Sequence, residues 1–206
     1  TGVRTVLKEL DLESVPADTR LDVVEAARRL GMDEVAARML KPLQDLPYGE
    51  RHLTVLGGDP ARGEEIFRNN VALSCLRCHS VGDSGGNVGP NLAGIGKTKT
   101  ADYLLESIMD PNKQIAEGFG TLIVVTDDGL QYQGLVQKEA DDLIHMIDAD
   151  GNRFHIVKEE IIARKNGKSA MPEELTKSLT NFQLRDLIAY LVSLKTPWVK
   201  EAGHEE

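Results

Sequence analysis

Cys75-Leu76-Arg77-Cys78-His79 is the stretch on which the reading of this chain turns. Two thiols separated by two residues can be presented by one turn of chain to one edge of a planar ring, and the next residue projects its imidazole along the ring normal. This is the spacing at which two cysteines add across the vinyl groups of a haem and the neighbouring histidine is brought under the iron. The chain has two cysteines in all, so no thiol remains for a long-range disulfide. Two other chemistries use paired cysteines. A zinc half-site needs two further ligands, and His52, His145, His155 and His204 offer no second paired spacing. A thioredoxin-like redox pair needs a βαβ frame, whereas a helix and a glycine-rich loop flank this one.

Downstream residues extend the same reading. In Gly89-Pro90-Asn91-Leu92, a loop carbonyl can accept the other ring N–H of an iron-bound histidine, which fixes its tautomer and raises its basicity. Pro90 is the candidate acceptor; simple loop punctuation by Gly-Pro is the plainer alternative. Ser169-Ala170-Met171-Pro172 supplies a candidate sixth ligand, because Pro172 keeps Met171 out of a regular helix and leaves its thioether free. Met32, Met39, Met109 and Met146 fall on predicted helices or a strand, where packing accounts for them. Ligation by a second imidazole, from His145 or His155, is the alternative to Met171.

Around these motifs the periodicity changes twice. Residues 1–46 read as an α-helical hairpin, with Leu21, Val24, Ala27 and Leu30 at helical spacing and Gly31 as a stop. Its apolar stripe needs a cover, either the following domain or a preceding helical repeat. Residues 47–58 read as a linker, and Asp59-Pro60 opens the helix that delivers the chain to Cys75. A long glycine-rich loop and a helix from Tyr103 to Met109 follow. From about 118 to 165 the period becomes two, with turn dipeptides at Asp128-Gly129 and Asp150-Gly151, which predicts an antiparallel β-meander. Thr180 and Gln183 form a capping box for the last helix, and 199–206 read as a polar tail. The fold class is therefore α+β.

With 206 residues and 41% hydrophobic content the chain can bury an ordinary core, and its apolar runs fall far short of a membrane span. A net charge of -9 with interspersed acids and bases argues against nucleic acid. Thr1 and the absence of a basic and apolar leader are consistent with a removed signal or with a piece of a longer chain.

In order, the helix with Gly63 and Phe67, the Cys75 to His79 motif, Gly89-Pro90-Asn91-Leu92, a middle helix, Met171-Pro172 and a last helix with Tyr190 resemble class I cytochrome c. With the β-insertion, Asp110-Pro111-Asn112-Lys113, Asp128-Gly129, Ser169-Ala170-Met171-Pro172 and the stretch Asp186 to Leu191 within the last helix, roughly residues 55 to 198 resemble the planctomycete-type haem-binding domain. The resemblance implies an all-α class I core over residues 59–198 interrupted by the β-meander, with first and last helices crossing at Gly63 and Tyr190. It implies one covalent haem c on Cys75 and Cys78, with iron held by His79 and Met171, in a periplasmic or otherwise extracytoplasmic compartment. It also implies single-electron transfer rather than enzymatic turnover, with electrons from an upstream dehydrogenase domain or a redox partner protein. A haem enzyme or gas sensor in which Met171 dissociates is the second reading. A third makes the β-insertion a docking module for the electron donor.

Overall fold

In the computed structural model, which describes residues 2–199, the N-terminal unit comprises α1 (Gly2–Glu9), α2 (Arg20–Arg29) and α3 (Asp33–Leu40). Leu21, Val24 and Ala27 share one face of α2 and pack on Val35, Ala36 and Met39 of α3. Leu7 of α1 joins them in the same core. Each large aliphatic side chain fully buried here contributes about 1.5–3 kcal/mol.

Residues 47–58 differ from the expected linker. Gly49–Thr54 form a 3-10 helix whose Leu53 enters the N-terminal cluster and whose Thr54 is fully buried. Arg51 donates to the carbonyl of Leu179 at 3.3 Å. Glycine and proline do punctuate this stretch, but Leu53 and Arg51 find partners far along the chain and hold it down.

Helix α4 (Pro60–Asn69) leads through the single turn α5 (Cys75–Cys78), the small hairpin β1 (Ser80–Val81) and β2 (Ser84–Gly85), then α6 (Ile95–Thr98) and α7 (Ala101–Met109). After the large sheet, α8 (Asn181–Ser193) closes the fold. Asp59 caps α4 by accepting from Ala61 N at 2.9 Å, with Pro60 at the first helical position. Thr180 and Gln183 make the complete capping box of α8. Helices α4 and α8 cross at Gly63, where any side chain would collide with the Asp186 carbonyl and the Tyr190 Cβ. Phe67 packs on Tyr190 with ring centroids 5.5 Å apart. The buried Asp186 carboxylate accepts from Asp59 N and Arg62 Nε, both at 2.8 Å, and so locks the crossing.

The N-terminal unit is seated on α8. Arg185, its side chain 7% exposed, lies 2.6 Å from Asp22 of α2. Glu50 accepts from Arg28 at 2.6 Å and from Asn181 at 3.0 Å.

Strands β3 (Gly120–Thr126), β4 (Gln131–Glu139), β5 (Leu143–Ile147), β6 (Arg153–Val157) and β7 (Ile161–Ser169) form one antiparallel sheet in the order β6-β5-β4-β3-β7. Consecutive strands β6 and β7 thus lie at opposite edges, joined by the short 3-10 helix Lys158–Glu160. Four flat strand spacings would separate those edges by about 19 Å, whereas the connection reaches roughly 13 Å. The sheet is therefore curled, and bulges along β3 and β4 accommodate the bend. Leu122, Val124, Ile144, Met146 and Ile156 fill its own small core. The sheet ends at Ser169 rather than near 165, because the polar end of β7 pairs with β3 through the backbone as far as Gly120–Ser169. Among the described residues no helix is long and apolar enough to cross a membrane. Apart from Val199, the polar tail lies outside the described residues.

Candidate functional site

Asn70 ends α4 and starts the approach to the site: its Oδ1 accepts from Ala72 N at 3.0 Å and Leu73 N at 3.1 Å. The turn α5 then presents Cys75 and Cys78 to one cavity, and His79 leaves the helix in an extended conformation, φ -102° and ψ 149°. The glycine-rich loop folds back over the same turn. Gly86 N donates to Leu76 O at 2.8 Å and Gly89 N to Cys78 O at 2.7 Å, satisfying carbonyls that a single helical turn leaves open. Asn91 stitches this loop to itself, its Nδ2 donating to Gly82 O at 2.8 Å and its Oδ1 accepting from Ala93 N at 3.0 Å.

The fold-back sets the imidazole. His79 Nδ1 lies 3.0 Å from Pro90 O. A carbonyl can only accept, so Nδ1 carries the proton and Nε2 keeps its lone pair. Gly89 lies against the ring: a Cβ there would sit 2.6 Å from His79 Cε1 and 2.7 Å from Nδ1. Glycine is thus required by the imidazole, a reason invisible in the sequence, where Gly89 reads as half of a Gly-Pro loop marker. Burial lowers the His79 pKa, with the Pro90 hydrogen bond opposing the shift, which favours the neutral, ligand-ready ring.

The cavity measures about 370 Å³. Cys75, Cys78, His79, Pro90 and Met171 all line it, among apolar side chains that include Leu92, Leu104 and Phe119. Met171 stands on the opposite bank of the sequence, with its N–H donating to Ser169 Oγ at 3.1 Å. Burial pushes the Cys75 thiol up to about 11 and also raises Cys78, against the local pull of Arg77. A thioredoxin-like pair needs a depressed thiol pKa, so this environment is the wrong one for it.

His145 and His155 face each other across β5 and β6, both exposed, with ring centroids 6.2 Å apart, and neither lines the cavity. His52 lies 3.8 Å from Asp102 and is likewise absent from the lining; His204 is outside the described residues. Among the described residues no group of three or more His, Cys, Asp or Glu side chains could hold a metal ion. Nothing in the periodicity of the strands signals that the outer face of the large sheet reaches the site. Leu135 and Ile147 pack with Val88 against Cys78 and Phe119, and Asp150 in the β5–β6 turn pairs with Arg77 between the two cysteines.

The cytochrome c family model matches residues 60–150, less than half of the chain. The match contains α4, both cysteines, His79 and Pro90, and ends before Met171 and α8. No curated protein matches the chain. The match supports a haem-binding c-type cytochrome domain, whose typical activity is electron transfer. The side chains present fit that group: two sulfurs come from one turn, an imidazole has its outer nitrogen committed, a thioether comes from a distant loop, and the lining is mainly apolar.

Proposed function

We propose that residues 59–198 carry one haem c, attached through thioether bonds to Cys75 and Cys78 and ligated by His79 and Met171, and that the protein transfers single electrons between partners. The observation that carries this reading is the convergence of two thiols, one imidazole and one thioether on a single apolar cavity. When bound, the group supplies a one-electron iron couple. The chain's residues hold and tune it. Pro90 O holds the Nδ1 proton of His79 and makes the imidazole a stronger donor. Leu92, Leu104 and Phe119 keep water from the cavity and lower the local dielectric. Met171, a thioether rather than a second imidazole, favours a higher reduction potential.

With His79 and Met171 both committed to the iron, no site would be open to dioxygen or peroxide, which would favour outer-sphere transfer over turnover. The order of motifs supports the class I and planctomycete-type assignments and, with them, an extracytoplasmic site of assembly. The net charge of -9 suits a donor with a basic docking patch, either an upstream dehydrogenase domain or a separate protein.

The test is a mass and a reduced-minus-oxidised visible spectrum of the matured protein beside Met171→Ala. The expected mass is that of the chain plus one haem. The parent is expected to show the thioether-to-iron band and the variant to lack it. An unmodified, colourless parent sinks the reading, and a band that survives the substitution removes Met171 as the ligand.

A further inference from the structure

We propose that Asn112 is a positioning residue for Met171, its side-chain amide gripping the methionine loop on both sides of the thioether. From the turn after α7, Asn112 Oδ1 accepts from Ser169 N at 2.9 Å and Nδ2 donates to Glu173 Oε1 at 2.6 Å. Met171 and Pro172 are bracketed between these two contacts to one side chain. Lys168 Nζ donates to the same Glu173 oxygen at 2.8 Å and closes the base of the loop. Ser169 is also the last residue of β7, paired with Gly120, and its Oγ accepts the Met171 N–H.

The turn that carries Asn112 is itself anchored. Pro111 is buried and lines the cavity, Lys113 N donates to Asp110 O at 3.1 Å, and Gln114 Nε2 donates to Glu106 of α7 at 2.8 Å. Asn112 therefore ties α7, which packs beneath the cavity, to the end of the sheet and to the loop beyond it. Only an amide suits the position. It must accept on one side and donate on the other; a carboxylate would face Glu173 with like charge, and alanine would do neither.

This matters because a thioether is a neutral, easily displaced ligand whose occupancy depends on how well its loop is held in place. Loosening the loop lowers the fraction of molecules with the thioether in position and makes displacement by an external ligand easier by the same factor.

The inference rests on Met171 being the sixth ligand, and its test separates the two claims. Imidazole is titrated into the ferric holoprotein and the loss of the thioether-to-iron band is followed for the parent, Asn112→Ala, Asn112→Asp, Asn112→Asp with Glu173→Gln, and Met171→Ala. The two single Asn112 variants are expected to bind imidazole about tenfold more tightly, the effect of losing one to two hydrogen bonds. The double variant, in which amide and carboxylate exchange places, is expected to return toward the parent. Parent-like imidazole affinity in Asn112→Ala, with the band absent from Met171→Ala, overturns the positioning role and leaves the ligand assignment standing, even if the variant's Tm falls. A band that persists in Met171→Ala overturns both. If Asn112→Ala yields no folded holoprotein, Asn112→Asp against the double variant decides, and failure of the second substitution to restore the parent's affinity counts against the proposal.

Discussion

The two banks of the cavity are built in different ways. On the His79 side the hydrogen bonds that set the imidazole are local: Gly86, Gly89 and Pro90 fold back on Leu76, Cys78 and His79, and Asn91 closes the same loop, with the sheet adding only an outer cover at Cys78 and Arg77. On the Met171 side the loop has local contacts of its own through Ser169 and Lys168, but what anchors it to the rest of the molecule comes from afar, from Asn112 after α7 and from Gly120 at the start of β3. A bank made of short loops forms with little loop-closure entropy and stays formed while its own turn is intact. A bank made of distant elements depends on the whole sheet being in place. The imidazole is thus the fixed ligand of the proposed pair and the thioether the conditional one.

Three substitutions, taken from the largest expected effect to the smallest, break or sharpen this contrast. Gly89→Ala strikes the fixed bank, since its Cβ must displace the His79 ring. We expect the yield of haem-loaded protein to fall at least roughly tenfold, because this overpacking has no flexible neighbour to absorb it. Absorbance per unit protein after maturation reads it, and a parent-like yield would mean the ring is free to move. Gly63→Ala strikes beneath both banks, where a Cβ meets the Asp186 carbonyl. A loss of about 3 kcal/mol in denaturant unfolding is expected, with the two banks failing together; selective loss of the Met171 band would instead tie α4 to one bank.

The smallest effect is a control that touches neither bank. The Arg28 guanidinium, with help from Asn181, holds the Glu50 carboxyl below its ordinary 4.5. A depressed carboxylate pKa contributes stability that is fully present above the unfolded value and is lost as pH falls through the folded one. Glu50→Gln should therefore cost less than about 1 kcal/mol at neutral pH, and its difference from the parent should vanish in acid, as a pH series of Tm values would show. A difference that grows below the unfolded pKa would contradict the sign.

What the sequence made legible divides along the same line. Asp59-Pro60, Thr180 with Gln183, and the cysteine turn act on backbone groups two or three residues away, so their signals survive without tertiary structure. The crossing at Gly63 was legible through the resemblance alone, since nothing local on α4 names Asp186 or Tyr190 as its partner. The 3-10 helix at Gly49–Thr54 was hidden because its partners on α2 and α8 lie elsewhere in the chain. The end of β7 was hidden because Arg164 to Ser169 shows no apolar alternation and pairs through the backbone. Asn112 entered only as one residue of the Asp110-Pro111-Asn112-Lys113 motif that carries the resemblance, for nothing in its neighbourhood announces Ser169 or Glu173. The cover that Leu135 and Ile147 place on Cys78 follows from the curl of the sheet, a property of its whole strand order.

The ion pair between Asp22 and Arg185 spans 163 residues. At a synthesis rate of about 5–20 residues per second, the arginine leaves the ribosome roughly ten to thirty seconds after its partner. Until then Asp22 lacks its counter-ion and the cluster that Leu53 has already joined lacks Phe182. The three opening helices therefore wait for α8, and a nascent polypeptide stalled before that helix leaves the α8-facing side of their cluster open to whatever holdase attends it.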